Sequence, residues 1–341
     1  MTAFAIGVDL GGTNLRIAAV DEAGRLMEKM TLGAEVGRGR ERVIEDMTAA
    51  IREVVQRFNS DRLLGIGIGV PGIIDIETGT VHQSPNLPDW RDYPVRDEIE
   101  KRLNTRVILE NDANAAALGE QWLGAARDHD DMCMLTLGTG VGGGIVLGGR
   151  VWHGFKGMAG ELGHITVEPE GPPCGCGSRG CVEQLASATA VVRMAKEAIA
   201  AGQAPGLARA HGENPEFDSK IVYQMAVQGE RAAQEIYRKV GWALGIVVAD
   251  LVNIFNLPMY VIGGGMASAW EAFAPTLLQE ARARSYIYAE TAAGDDAEPG
   301  RKKTIITRAL LSGDAGLFGA ARLPMLPDEV QGHAKARLRT A

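Results

Sequence analysis

Between Gly160 and Glu183 the chain reads GELGHITVEPEGPPCGCGSRGCVE, a stretch that holds three of its four cysteines. His164, Cys174, Cys176 and Cys181 supply one imidazole and three thiols, the donor set that closes a tetrahedral Zn2+ site. A disulfide is the competing use. One residue between Cys174 and Cys176 makes a strained pair, however, and disulfides belong to oxidising compartments. Gly175, Gly177 and Gly180 let the backbone turn tightly enough for three thiolates to converge. Four protein ligands leave no open position to activate water, so the ion is expected to be structural. Ordering it also fixes Glu161 and Glu183, the two carboxylates that bracket the stretch.

Three further groups of residues carry chemistry. Asp9, Gly11, Gly12, Thr13 and Asn14 follow an apolar run, and Gly138, Thr139 and Gly140 open the second such turn, GTGVGGG. Each is either a plain glycine hairpin or a loop whose N–H groups face an anion, with Asp9 placed to hold a metal ion. Asn111 and Asp112 stand where a strand meets an Ala-rich helix. Asp112 there serves as a helix N-cap, as a general base at the carboxyl end of a strand, or as both. Asn86 and Trp90, in the Pro-interrupted loop SPNLPDW, either line a pocket or cap the loop.

The elements that must position these residues are legible from periodicity. Phe4 to Leu10, Leu15 to Val20, Leu26 to Leu32, Leu63 to Val70 and Arg106 to Leu109 have strand length and apolar content. Glu41 to Phe58 has helical spacing. The glycines alternating in LLGIGIGV indicate close approach by backbone or ligand. Met132 to Leu137 and Ile145 to Gly148 flank the second glycine turn, so IGVDLGGTNLRIAAV and MLTLGTGVGGGIVL form an internal repeat. That repeat implies two similar sheet lobes facing each other across a cleft. Cys133 alternates with apolar neighbours and reads as a buried small hydrophobe. Ala188 to Ala201 and Phe217 to Gly229 are expected helices, with a polar loop from Gly202 to Glu216 between them. Arg231 to Phe255 is a central helix with Ile236, Val240, Leu244, Val247, Leu251 and Ile254 inward. A third strand-to-glycine turn at Gly263, Gly264 and Gly265 leads into a helix ending at Arg284. Tyr288 to Lys303 is a polar excursion, Thr304 to Thr307 a short strand, Asp314 to Leu323 a helix able to return to the first lobe, and Pro327 to Ala341 a polar tail.

Composition fits a globular enzyme. The chain has 341 residues, 46% hydrophobic and 23% charged, enough for two cores. A net charge of −8 argues against nucleic-acid or membrane surfaces as partners. No apolar run has spanning length and no basic region precedes the first strand, so a cytoplasmic location is expected.

Four separated features coincide: DLGGTN, END, GTGVGGG and GELGH followed by CGCGSRGCVE. Together they resemble the ROK family of sugar kinases and repressors, within the actin, hexokinase and heat-shock ATPase superfamily. The resemblance covers essentially the whole chain and implies an α/β fold of two RNase H-like lobes, each with a mixed five-stranded sheet, around a nucleotide cleft. It implies residues 1–112 with about 308–341 as the small lobe and 113–307 as the large one. It implies Asp112 as the catalytic base, with Asn111 beside it on the sugar. Glu161, His164 and Glu183 match sugar-hydroxyl contacts, as do Gly72 and Asn86, and His164, Cys174, Cys176 and Cys181 match the zinc ligands. Asp9 would hold Mg2+, the two glycine turns would hold the ATP phosphates, and Gly264 and Gly265 would border the adenosine.

The implied activity is phosphorylation of a hexose by ATP in a homodimer. Ile73 and Ile74 after Pro71-Gly72 look more like the bacterial glucokinases than the N-acetylmannosamine kinases, which makes glucose the first expectation. N-acetylmannosamine, mannose, fructose and allose follow. A sugar-sensing repressor needs a helix-turn-helix ahead of the first strand, for which the sequence before Phe4 leaves no room.

Overall fold

A computed structural model describes residues 2–58, 60–84, 86–292 and 302–327. Packing divides it into two compact units. Unit 1 comprises residues up to Asp130, Gly144–Gly160 and those from Gly313 on, and unit 2 comprises Asp131–Gly143 and Glu161–Ser312.

In chain order the elements are β1 (Phe4–Leu10), β2 (Asn14–Asp21), β3 (Leu26–Gly33), α1 (Arg40–Gln56), β4 (Leu63–Val70), β5 (Ile73–Asp75), β6 (Thr80–Gln83), α2 (Val95–Leu103), β7 (Val107–Asn111) and α3 (Asp112–Leu123). Next come β8 (Met132–Leu137), β9 (Val141–Leu147), β10 (Arg150–Val151), α4 (Glu183–Ala186), α5 (Ala188–Ala200), α6 (Pro205–Glu213), α7 (Ser219–Val227) and α8 (Arg231–Phe255). The chain continues through β11 (Met259–Gly263), α9 (Trp270–Arg284), α10 (Tyr286–Thr291), β12 (Ile305–Arg308) and α11 (Ala315–Arg322). Two five-stranded sheets result, ordered β3-β2-β1-β4-β7 and β10-β9-β8-β11-β12. In the first, β1 runs antiparallel to β2 but parallel to β4, and β4 parallel to β7, so the sheet is mixed as expected.

The alternating glycines of β4 receive a definite explanation in unit 1. A Cβ on Gly67 would lie 1.9 Å from the Ala320 carbonyl oxygen, and one on Gly7 of β1 would lie 2.3 Å from that of Leu317. Helix α11 therefore rests directly on the sheet backbone, and the neighbour the glycines admit is a helix. Gly119 and Gly319 meet in the same way where α3 crosses α11. That contact keeps α3 in unit 1, although the sequence reading began the second lobe at residue 113. Trp90 is 1% exposed within the unit 1 core, where it meets Tyr93, and its backbone N–H donates to Leu87 O at 3.0 Å, so it closes the loop from the core side.

In unit 2, α8 is the central helix, with Ile236, Val240, Leu244, Val247 and Leu251 buried. Ile254, in the last turn of the helix, is 69% exposed, against expectation. The expected loop from Gly202 to Glu216 contains α6 instead. Pro205 stands at its start, where no N–H is needed, and Leu207 is buried beneath a polar surface. The excursion expected from Tyr288 begins as α10, whose Tyr288 is buried; residues 293–301 lie outside the described residues, as does the tail from 328 on. Helix α2 and the β5–β6 hairpin carry no clear period and were not expected. Among the described residues no helix is long and apolar enough to cross a membrane.

Candidate active site

Strand β1 delivers Asp9 at its end, and the turn that follows is closed by Gly11 N–H donating to Asn14 O at 2.8 Å. Thr13 O accepts from Ala34 N at 2.9 Å. The β1–β2 register sets Asp9 opposite Arg16, and the guanidinium donates to the carboxylate. Arg16 also donates to Gly313 O. Burial pushes the Asp9 carboxyl above its ordinary value, and Arg16 offsets only part of that effect. The Asp9–Arg16 pairing went unread in the sequence, although a tight hairpin makes cross-strand partners predictable. Asn86 is exposed and sits beside this loop: a Cβ on Gly12 would come within 3.3 Å of the Asn86 Cβ.

Strand β7 ends in Asn111 and α3 begins with Asp112. The capping duty at this junction falls to the residue before Asp112. The N-cap is Asn111, whose Oδ1 accepts from Ala113 N at 2.9 Å and Asn114 N at 3.2 Å. Asp112 occupies the first helical position, half-buried, with Oδ1 accepting from Ala113 N at 2.9 Å. Negative charge at a helix N-terminus is electrostatically favoured. Asn111 Nδ2 donates to Gly72 O at 3.1 Å. Gly72 has φ +118° and a Cβ there would strike Gln83 O at 2.2 Å, so only glycine fits this turn.

Behind this junction lies Glu110, which sequence reading passed over. It is 2% exposed and accepts from the Nε2–H of His153 at 2.7 Å. Burial alone lowers the His153 pKa, but the charge of Glu110 and the hydrogen bond to it outweigh burial and hold the imidazole above its ordinary value. Glu110 opens the END motif as a charged residue in an otherwise apolar strand, and neither signal assigns it a partner. His153 carried no such signal.

In unit 2 the turn after β8 brings Gly138 N–H to Gly140 O at 2.9 Å, and Ala188 N at the start of α5 donates to Gly138 O at 2.8 Å. Thr189 Oγ1 donates to Thr139 O at 2.8 Å. Glu183, the first residue of α4, accepts from Val141 N at 3.0 Å through Oε2. The same carboxylate leaves no room for a Cβ on Gly140, which would lie 2.4 Å away. Gly264, with φ +81°, backs onto Leu137, and Gly265 opens the short helical turn that leads to α9.

His164, Cys174, Cys176 and Cys181 converge, with all four ligand atoms within 4.8 Å of one another. His164 Nδ1 lies 3.6 Å from Cys174 Sγ, and Cys176 Sγ lies 3.7 Å from Cys181 Sγ. A metal–sulfur bond of ~2.3 Å gives a tetrahedral edge of about 3.8 Å, so the donor set fits a tetrahedral ion. Nδ1 of His164 faces the thiols, and Nε2 faces Glu161 Oε2 at 3.9 Å. Burial raises the Glu161 pKa, which His164 lowers in part and Glu183 raises again. Cys133 is fully buried and its thiol is pushed up to about 12 by desolvation, consistent with an inert side chain.

The ROK family model matches residues 5–325 of the sequence. The chain belongs to the ROK family. It is 44% identical over 266 residues to a glucokinase of Thermotoga maritima, covering 78% of this chain and 83% of that one. The crystal structure of a ROK family glucokinase from Streptomyces griseus, in complex with glucose and AMPPNP, superposes with a TM-score of 0.76 at 34% identity. That match covers 94% of this chain and 99% of the other. A xylose repressor of Caldicellulosiruptor bescii is 34% identical, over 83% of this chain and 71% of that protein. The ROK fold thus accounts for the two mixed sheets and for the order of the motifs along the chain.

Proposed function

We propose that the protein transfers the γ-phosphoryl group of ATP to glucose, giving glucose 6-phosphate, with Asp112 as the general base. The observation that carries the reading is Asp112 itself. A carboxylate stands at the carboxyl end of a parallel strand, ordered by a capped helix, in a chain related to glucokinases at 44% and 37% identity. A sugar hydroxyl is a poor nucleophile at neutral pH, and a carboxylate within hydrogen-bond reach takes its proton as the P–O bond forms. Transfer passes through a loose transition state, so the remaining catalysis is alignment and charge stabilisation.

In unit 1, Asn111, Gly72 and Asn86 contact the sugar, and Gly11, Gly12, Thr13 and Asn14 contact phosphate. In unit 2, Glu161, His164 and Glu183 accept or donate hydrogen bonds to sugar hydroxyls, Gly138, Thr139 and Gly140 hold phosphate, and Gly264 and Gly265 border the adenosine. Mg2+ suits Asp9, a single buried carboxylate that can hold the ion directly or through water, and when bound it neutralises charge on the phosphates. Zn2+ suits His164, Cys174, Cys176 and Cys181 and supplies rigidity to the carboxylates around it. Acidic composition and the family resemblance support a cytoplasmic homodimer at the entry to sugar breakdown.

A coupled assay of ADP release across hexoses and N-acetylhexosamines tests this reading, with glucose expected to give the highest kcat/KM. Asp112→Ala is expected to fold and to lose about 10²–10⁴ in kcat with much less change in glucose affinity. Wild-type turnover in that variant removes Asp112 from the role. Preference for N-acetylmannosamine, mannose, fructose or allose keeps the mechanism and changes the substrate. Operator binding without phosphoryl transfer replaces the kinase with a repressor.

A further inference from the structure

Glu110 is buried, charged and fully engaged, yet nothing in the proposed chemistry uses it. Its Oε1 accepts from Asn111 N at 2.9 Å and from Asn114 Nδ2 at 3.0 Å, and its Oε2 meets His153 Nε2 at 2.7 Å. The carboxylate thus grips the chain on both sides of Asp112, one residue before it and two after. Asn114 leaves its own Oδ1 buried without a hydrogen-bond partner among the described residues, so its amide is oriented by Glu110.

The other end of the pair is equally well seated. His153 follows β10 in a turn that Ala159 N closes on His153 O at 3.1 Å. Gly154 and Gly157 take φ +67° and +80° in that turn, and a Cβ on Gly157 would lie 3.4 Å from Ile74 O and Ile76 N, so the turn runs beside the β5–β6 hairpin. That hairpin begins immediately after Gly72, whose carbonyl Asn111 engages. The contacts therefore close a ring: Gly72, Asn111, Glu110, His153, the 153–159 turn and Ile74. An isolated buried carboxylate is expensive, and one that is paired and fully hydrogen-bonded is a rigid anchor.

We propose that Glu110 and His153 form a positioning pair that fixes the backbone carrying Asn111 and Asp112 for proton transfer. The inference rests on the reading of Asp112 as general base. A misplacement of about 1 Å at a reacting group costs on the order of 10²-fold in rate. The pair therefore acts on kcat, while nucleotide affinity, which it does not touch, stays unchanged.

The test is steady-state kinetics of the full-length protein with glucose and ATP, with circular dichroism melting of each variant. His153→Ala and Glu110→Gln are expected to lower kcat about 10–100-fold, with the KM for ATP within about twofold of wild type. His153→Gln, which keeps an N–H donor, is expected to recover most of the loss. The double variant Glu110→Gln/His153→Ala is expected to be no slower than the slower single one, because the two residues act as a unit. If Glu110→Gln does not fold, the His153 variants decide. A kcat within twofold of wild type in His153→Ala, no recovery in His153→Gln, additive losses, or loss of the fold in His153→Ala each overturn the proposal. Asp112→Asn is measured alongside. Full activity in that variant sinks the base reading, whereas an inactive Asp112→Asn with a fully active His153→Ala sinks the pair alone.

Discussion

Gly67→Ala is a one-methyl test of how α11 is held on the unit 1 sheet. The added Cβ would lie 1.9 Å from Ala320 O, 2.9 Å from Ala320 C and 3.2 Å from Leu323 Cβ. Ordinary contact starts near 3.4 Å, so the helix must withdraw by about 1.5 Å, the difference between that distance and 1.9 Å. The obstacle is backbone, which no rotamer change relieves. Withdrawal also opens the contacts of Leu317, Ala320 and Ala321, all 0% exposed. Overpacking costs ~1–3 kcal/mol and this case belongs at the upper end. Lower unfolded-state entropy returns ~0.4–1 kcal/mol, since Gly67 has an ordinary φ. A net loss of about 2 kcal/mol is expected, which for a domain of this size lowers Tm by roughly 4–8 °C. Gly37→Ala, with nothing within 4 Å of its Cβ, is the control, expected within about 0.5 kcal/mol of wild type. Thermal melts and urea titrations of both variants provide the measurement. A Gly67→Ala protein melting within a degree of wild type refutes the direct helix-on-backbone contact.

Two further predictions follow from the site. Elemental analysis is expected to find about one zinc ion per wild-type chain, and Cys176→Ser to lose it and to melt at a lower temperature; a zinc-free wild type removes the metal reading. The raised pKa of His153 gives a linkage prediction with a definite sign. Its contribution to stability is complete below the unfolded value of ~6.5 and is lost as pH rises through the higher folded value. The stability advantage of wild type over His153→Gln in urea titrations should therefore shrink from pH 6 towards pH 8.5, and an advantage that grows over that range contradicts the ion pair.

The parts of this protein that were legible in sequence are those written in local chain. His164 and the three cysteines fall in one short stretch whose glycines leave little freedom, so their convergence needed no knowledge of the fold. Strands β1, β4, β7 and β8, helix α8 and the two glycine hairpins carry their periods within single elements, and their order matches the ROK pattern. Elements with weak or mixed patterning were lost: α2, α6, α10 and the β5–β6 hairpin each bury only one to a few side chains, so composition hides them.

Tertiary structure alone decided the questions that depend on partners far apart in the chain. Gly67 announced a close neighbour, but that the neighbour is the Ala320 carbonyl follows only from the return of α11 to the first sheet. Asp112 was marked as a cap or a base, and the capping duty fell to Asn111, a choice set by the φ and ψ at the β7–α3 junction. Glu110 and His153 share no spacing rule; they meet because β10 and the turn after it lie against α3 and β7, bringing an imidazole to a buried carboxylate. Residue types and local spacing define which groups can do chemistry, whereas a buried charge finds its counter-charge only once distant strands have paired.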